Sequence, residues 1–254
     1  MKDTHTVSTP APTAFSSVQN EMVYPDGIEN HSWNAARCLI LNRILGRVLP
    51  REAKLLDVGC GRGTEVSFLL EKGWDCSGCD ISGVAPTNPE IADRLYSSTA
   101  SFDLPDEFKS KIDCLLFLDV LDHIEDPVKF IGRHLESFCN VRYLLITVPA
   151  RMELWSNYDD FCAHYKRYDL RTLSSMLEHF AVQDVSGGYF FHTLYLPFLL
   201  TKLLGRKRSV QVSAPSGASI YCHRLLAKYF EVEFCLLPKS LPGTSLYALV
   251  ALKK

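Results

Sequence analysis

One stretch of the chain, Leu55 to Glu65 with the sequence LLDVGCGRGTE, restricts the fold more than any other. An apolar run ends in Asp57, a turn rich in glycine follows, and an amphipathic segment begins at Thr64. This order predicts a strand, a tight turn and a helix. Glycines let the backbone bend sharply and let a ligand approach the main chain. The helix would direct its free N–H groups towards that ligand.

A second acidic residue indicates what the ligand is. Asp80 lies near the end of the next strand-like run, Asp75 to Ile81. A carboxylate at the tip of a second strand is placed to accept hydrogen bonds from ribose hydroxyls. The dinucleotide pattern G-x-G-x-x-G/A is not met, because Thr64 occupies the third small position after Gly59 and Gly61. We therefore predict a nucleoside-containing cofactor, and the pattern argues against a dinucleotide.

Composition excludes some partners and bounds the size of the fold. The 254 residues, 47% of them hydrophobic, suffice for one domain with a buried core. With a net charge of −2, the chain lacks the excess of basic residues that is typical of nucleic-acid-binding domains. Nine cysteines and the lack of a signal-peptide pattern suggest a reducing, cytoplasmic setting. Cys76 and Cys79 form a C-x-x-C, but in a strand they face opposite ways, so we predict no metal site.

Strand-like and helix-like segments alternate from residue 54 onwards. The predicted strands are 54–58, 75–81, 95–98, 112–118 and 143–148; the predicted helices are 33–49, 64–72, 126–138 and 169–180. Such alternation indicates a parallel sheet with helices on both faces, whose ligands lie outside the carboxyl ends of the strands. Residues 1–20, rich in Thr, Ser, Pro and Ala, are predicted to be a disordered tail. We assign 21–254 to one domain, in which 21–50 form an amino-terminal cap-helix region.

Several motifs together resemble the class I S-adenosylmethionine-dependent methyltransferases. Leu55 to Gly63 is similar to their motif I, hh-D-x-G-x-G-x-G, and Ile112 to Pro127 (IDCLLFLDVLDHIEDP) resembles their fourth-strand motif. His164 to Leu177 (HYKRYDLRTLSSML) resembles a bacterial subgroup with an H-x-x-R-Y segment. The likeness covers residues 22–254. It implies a Rossmann-like three-layer α/β sandwich with a seven-stranded, mostly parallel sheet, whose last strand, near Ser245 to Ala251, is antiparallel.

The resemblance also implies S-adenosyl-L-methionine as cofactor and a set of site residues. The expected cofactor-binding residues are Arg37, Asp57, Gly59, Cys60, Gly61, Gly63, Asp80, Ile81, Asp103, Leu104, Leu118 and Asp119. Asp103 and Leu104 meet the family's adenine-binding pattern only loosely. For Arg37, a solvated position on a helix packed against the sheet is the alternative to a cofactor contact. His123 and His164 are the expected catalytic residues, because an imidazole titrates near neutral pH and can accept a hydroxyl proton. Packing or loop-anchoring roles are the alternatives for both histidines.

The sequence thus predicts an enzyme that methylates a small-molecule, glycan or lipid-linked acceptor, with oxygen favoured as the methylated atom. A catalytically silent, methyltransferase-like binding protein is one alternative. A nicotinamide-dependent oxidoreductase is another, against which Asp57 and the missing third small position argue. No nucleic-acid partner is expected, and the oligomeric state is left open.

The segment Tyr189 to Leu204 (YFFHTLYLPFLLTKLL) is strongly apolar, and Gly205-Arg206-Lys207-Arg208 follows it. It is too short and too interrupted for a membrane span. A core or pocket helix is favoured over an interfacial one. Peripheral contact of residues 189–208 with the inner face of a membrane is the alternative.

Overall fold

The computed structural model describes residue 19 and residues 22–253. The predicted tail lies almost entirely outside the described residues. The strands are β1 (Lys54–Val58), β2 (Asp75–Cys79), β3 (Leu95–Tyr96), β4 (Cys114–Leu118), β5 (Tyr143–Pro149), β6 (Val182–Phe190) and β7 (Ser245–Leu252). The α-helices are α1 (Ser32–Val48), α2 (Thr64–Glu71), α3 (Asp106–Lys109), α4 (Pro127–Ser137), α5 (Asn157–Phe161), α6 (Leu170–Leu177), α7 (Tyr195–Leu203) and α8 (Ser219–Leu236).

The strands form one seven-stranded sheet in the order β3-β2-β1-β4-β5-β7-β6. The first five strands in this order pair in parallel, whereas β7 is antiparallel to both β5 and β6. The predicted Rossmann-like fold class is therefore confirmed. The order in which the strands follow one another across the sheet reverses between β1 and β4. Ligands of α/β sheets bind at such switch points.

Two hydrophobic cores cover the two faces of the sheet. One core contains Leu55 and Leu116 with residues of α1, α2 and α8, and the other contains Leu56 and Leu115 with residues of α4 and α6. The central strands are thus buried on both faces, which explains why β4 is apolar throughout rather than alternating. The C-x-x-C cysteines fall into different cores, as their spacing predicts.

The apolar segment 189–204 differs from the expectation of a single helix. Its first two residues end β6, where they pair with β7, and only Tyr195–Leu203 forms α7. None of the residues of α7 is buried, so the core part of the prediction of a core or pocket helix is wrong. Phe198 of α7, and Leu194 just before it, line a cavity, in agreement with the pocket part. The helix is shorter than expected because the two leading aromatic residues are part of β6. Among the described residues, no helix is long and apolar enough to cross a membrane.

Candidate active site

A cavity of about 1000 Å³ opens at the carboxyl ends of the parallel strands. Its walls come from the glycine turn after β1 and from the residues that follow β2, β4 and β5. The amino-terminal part of α1 closes one side, and residues of α7 and α8 contribute apolar surface. The cavity therefore lies at the switch point between β1 and β4, where the alternation of strands and helices predicts a ligand.

The glycine turn presents main chain to this cavity. Gly61 has a φ of 51°, and a Cβ added there would meet no heavy atom within 4 Å, so its open side faces ligand space. Gly59 and Cys60 also line the cavity. Gly63 does not; it precedes α2 with a φ of 74°, and a Cβ there would lie 2.6 Å from Leu95 Cδ1. The missing side chain of Gly61 thus leaves room for a ligand in the cavity. That of Gly63 allows α2 to pack closely against Leu95 of β3.

Asp80 connects the glycine turn to the end of β2. Its Oδ2 accepts a hydrogen bond of 2.8 Å from the Gly61 N–H, and its Oδ1 accepts one of 2.6 Å from the Ser82 N–H. The Ser82 hydroxyl donates to the same Oδ1. Asp80 and Ile81 both line the cavity. The predicted second-strand carboxylate therefore sits beside the predicted turn.

Two other predicted cofactor residues lie away from the cavity. Asp103 is exposed, and Leu104 is packed in the core formed with α4 and α6. Ser101 and Phe102 line the cavity in their place. The residues of this segment that line the cavity thus lie two positions earlier in the chain than the expected ones. This difference agrees with the loose match of the segment to the family pattern.

Arg37 joins two carboxylates at the floor of the cavity. It is only 2% exposed, and its Nη1 donates to Glu65 Oε1 at 3.0 Å while Nη2 lies 3.2 Å from Asp119 Oδ2. Nη2 also donates to the Thr147 hydroxyl, which in turn donates to Asp119. Burial lowers the pKa of Arg37, but Asp119 and Glu65 outweigh it and raise the pKa. The alternative of a solvated Arg37 is therefore wrong.

Asp57 and Asp119 add negative charge to the same region. Asp57 is buried, its Oδ1 has no hydrogen-bond partner, and burial followed by the nearby Glu65 raises its pKa. Asp119, with a φ of 55°, holds a left-handed conformation directly after β4. Such strain in a non-glycine residue is typical of functional sites. With Leu118 these residues line the cavity, which suits a ligand that carries positive charge and hydroxyl groups.

The two predicted catalytic histidines lie together around Asp122. Their ring centroids are 4.8 Å apart. Asp122 is fully buried, and its Oδ2 lies 3.2 Å from His164 Nε2 and 3.6 Å from His123 Nε2. Burial raises the pKa of Asp122 to about 7. All three residues line the cavity.

The environments of the two histidines are opposite. Burial, then the neighbouring charge of His164, lowers the pKa of His123 to about 4. Burial also acts against charge on His164, but its hydrogen bond with Asp159 and the charge of Asp122 raise its pKa to about 10. At neutral pH one ring is therefore neutral and the other is an imidazolium.

The H-x-x-R-Y segment is anchored by Asp159. This buried carboxylate accepts bonds from Arg167 Nε at 2.7 Å and Nη2 at 3.1 Å, and lies 3.0 Å from His164 Nδ1. Arg167 Nη1 also donates to the Ala150 carbonyl at 3.0 Å. These bonds lower the pKa of Asp159 although burial raises it. Arg167 thus ties the loop after β5 in place, in agreement with the anchoring alternative.

The trio of Asp122, His123 and His164 also has ligand-like spacing, since one ligand atom from each lies within 4.8 Å of the others. A metal ligand must offer a lone pair, and a histidine ligand must therefore be neutral. The carboxylates near both nitrogens of His164 keep its pKa at about 10, so a metal would have to displace a proton from this ring. The trio is defined by its charge contacts, in which the buried Asp122 carboxylate lies between the rings of His123 and His164.

Sequence reasoning did not single out some residues of the cavity. Glu65 partners Arg37, and Tyr158, Phe198 and Arg208 line the side formed by α5 and α7. Their only signals in the sequence are an acidic residue inside motif I and an aromatic residue close to a basic run. Neither signal specifies a partner, because both contacts join segments that are distant along the chain.

A family model described as a methyltransferase domain matches residues 32–186. This match covers more than half of the chain and includes the glycine turn, Asp80 and both histidines. The chain belongs to the methyltransferase-domain family. The predicted enzyme class, a methyltransferase, is therefore confirmed.

Individual relatives of this methyltransferase are distant. A ubiquinone biosynthesis O-methyltransferase from Acinetobacter baylyi is 29% identical over 86 residues, which span 31% of this chain and 36% of that enzyme. Phosphoethanolamine N-methyltransferase 2 from Haemonchus contortus, solved with S-adenosyl-L-methionine, has a TM-score of 0.53 and 15% identity over 93% of this chain and 56% of its own. A plantazolicin methyltransferase, solved with S-adenosylhomocysteine, has a TM-score of 0.53 and 14% identity over 94% and 90% of the two chains. The structural likenesses concern the fold.

Proposed function

We propose that this methyltransferase methylates the oxygen of a hydroxyl group on an apolar acceptor, either a small molecule or a glycan- or lipid-linked one. The observation that carries the proposal is the position of His123 in the cavity wall, 3.6 Å from the buried Asp122 and beside the His164 ring. A hydroxyl oxygen must lose its proton as it is methylated, whereas a neutral amine needs this less. The ubiquinone-pathway relative, an O-methyltransferase, agrees with oxygen as the acceptor atom.

The cofactor is proposed to bind through the predicted residues that line the cavity: Arg37, Asp57, Gly59, Cys60, Gly61, Asp80, Ile81, Leu118 and Asp119. The open side of Gly61 leaves room for a ligand, and the carboxylates suit its ammonium, sulfonium and ribose hydroxyls. When bound, S-adenosylmethionine supplies an electrophilic methyl group. We assign Asp80 to the ribose. Arg37, already paired with Glu65 and Asp119, positions Asp119.

We assign different roles to the two catalytic candidates. His123 accepts the hydroxyl proton, since its low pKa keeps the ring neutral throughout the neutral range. Asp122, 3.6 Å from His123 Nε2, stabilises the imidazolium that results. His164 keeps Asp122 and Asp159 in place through its contacts with both carboxylates. Because the sulfonium is already electrophilic, placing the hydroxyl in line contributes more than strong activation.

Substitution of His123 tests this proposal. His123→Ala should lower kcat by about 10²–10⁴-fold on a hydroxyl acceptor, which is typical for loss of a general base. The affinity for S-adenosylhomocysteine should stay within twofold, and part of the lost rate should return at higher pH. His179→Ala, which changes an exposed histidine, is the matched control. Methyl transfer to a panel of amines and none to phenols or alcohols would contradict oxygen methylation.

Peripheral membrane contact is a second part of the proposal. Leu196, Leu200 and Leu203 of α7 are 62%, 56% and 72% exposed, and Arg206 and Lys207 follow directly. Apolar side chains next to basic ones suit the boundary of an anionic lipid layer. Since Phe198 of the same helix lines the cavity, a lipid-linked acceptor would reach the site from that surface. We place the enzyme in the cytoplasm, at the inner face of the membrane.

A further inference from the structure

Arg208 lines the side of the cavity formed by α5 and α7, and it forms no ion pair with a carboxylate among the described residues. Its guanidinium carbon lies 4.2 Å from the Phe198 ring centroid and 4.9 Å from that of Tyr158. Its backbone is clamped by Asn157, which accepts from the Arg208 N–H at 2.8 Å and donates to the Arg208 carbonyl at 2.9 Å. The aromatic rings and the clamp hold the side chain against the cavity.

Asp159, the carboxylate that acts on Arg208, is already engaged by Arg167 and His164. Arg167, the cation that most affects Arg208, is neutralised by two hydrogen bonds to Asp159. Burial, then Arg167, lowers the pKa of Arg208, so its charge is held at a cost in this environment. Arg208 is a half-buried cation, and a guanidinium fork that meets an oxyanion gains two parallel hydrogen bonds.

The surroundings of Arg208 indicate the rest of the ligand. Leu194, Phe198, Leu226 and Phe230 line the same cavity and offer apolar surface. Near the glycine turn the cavity wall carries negative charge instead, because Asp57, Asp80 and Asp119 line it there. An anionic group is therefore accommodated at Arg208 and disfavoured near those carboxylates.

We infer that Arg208 binds an oxyanion, a carboxylate or a phosphate group, carried by the apolar acceptor. This inference rests on the proposed function, because it assigns the acceptor to the side of the cavity formed by α5 and α7. The acceptor is then an amphiphile that has a hydroxyl to be methylated, an apolar body, and one acidic group. Arg208 fixes the acidic group and thereby the orientation of the molecule towards His123.

The test measures binding of simple amphiphiles to the protein loaded with S-adenosylhomocysteine. Octyl phosphate, octanoate and octanol share one apolar chain, so differences in their dissociation constants report on the headgroup. The wild type should bind at least one of the two anions tenfold or more tightly than octanol, and the preferred anion identifies the acidic group. Arg208→Gln should remove that preference and leave the octanol affinity unchanged. Arg208→Lys should recover only part of it, because an ammonium cannot form the fork.

Arg171→Gln, which removes an exposed positive charge of α6 outside the cavity lining, is the control and should behave as the wild type. Melting temperatures verify that each variant is folded. Equal affinity of the wild type for anions and octanol, or an anion preference that survives in Arg208→Gln, would overturn the inference. A tenfold loss of S-adenosylhomocysteine affinity in Arg208→Gln would instead assign the arginine to the cofactor carboxylate. Failure of the wild type to bind S-adenosylhomocysteine would count against the cofactor assignment, independently of Arg208.

Discussion

Gly61 and Gly73 form a natural pair for separating ligand access from backbone strain. Both have positive φ, 51° and 81°, and an added Cβ would meet no atom within 4 Å at either position. Only Gly61 lines the cavity. Alanine at either site should destabilise the fold by about 1 kcal/mol, since left-handed conformations disfavour a Cβ. Gly61→Ala alone should also weaken S-adenosylhomocysteine binding, by tenfold or more in calorimetry. Equal affinities of the two variants would place the cofactor elsewhere.

The chain of Asp122, His164 and Asp159 should make stability depend on pH. The pKa of His164 is raised from 6.5 to about 10 in the folded protein, so its stabilising contribution is complete below pH 6.5 and is lost as pH rises towards 10. Asp122, whose pKa is raised to about 7, acts in the same direction between about pH 4 and 7. The free energy of unfolding in urea should therefore decline from pH 6.5 to 9.5 in the wild type. In His164→Gln this decline should be smaller; an unchanged slope would show that His164 is not charged in the folded state.

At the scale of elements, α7 is a helix whose apolar residues do not contribute to a core. Leu200→Asp should leave the melting temperature within about 2 °C of the wild type, because the side chain is 56% exposed. The same change should reduce binding to vesicles that contain anionic lipid, since it removes apolar contact and adds repulsion. Val185→Asp, an exposed position on β6, is the control and should keep vesicle binding. Strong destabilisation by Leu200→Asp would return α7 to the core assignment.

Elements with a local signal could be predicted from the sequence. The β1 strand, its glycine turn and α2 were predicted to within a residue, because glycine conformations and the apolar run are properties of the segment itself. Asp126 and Asp169 cap α4 and α6 through their own side chains, which also fixes those boundaries. By contrast, β6 was implied only by the strand count of the family, and α8 was not predicted. Both depend on pairing with β7 and packing on α1, contacts between segments far apart in sequence.

The candidate site shows the same division. Asp80 and Gly61 were predicted because each follows a strand at a fixed offset, and the parallel sheet brings such strand ends together. The partners of His164 and Arg167 could not be predicted, since Asp159 approaches them only through the path of the loop after β5. The same holds for the opposite charge states of His123 and His164. These states follow from burial and neighbouring charges, which have no counterpart in spacing.

At the scale of the whole molecule, the cofactor should stabilise the fold as well as serve the reaction. The cavity is bounded by α1, the turn after β1 and the loops after β2, β4 and β5, so a ligand there links segments from both halves of the sheet. A ligand at 100 times its dissociation constant adds about 2.7 kcal/mol to the free energy of unfolding. For a chain of this size that corresponds to a rise of roughly 5–10 °C in melting temperature.

S-adenosylhomocysteine should produce this rise in melting temperature. NAD should not, because the glycine turn lacks the third small residue of a dinucleotide site and three carboxylates face the space that a pyrophosphate would need. Scanning calorimetry with each ligand measures both effects, and a rise with NAD but not with S-adenosylhomocysteine would contradict the cofactor assignment.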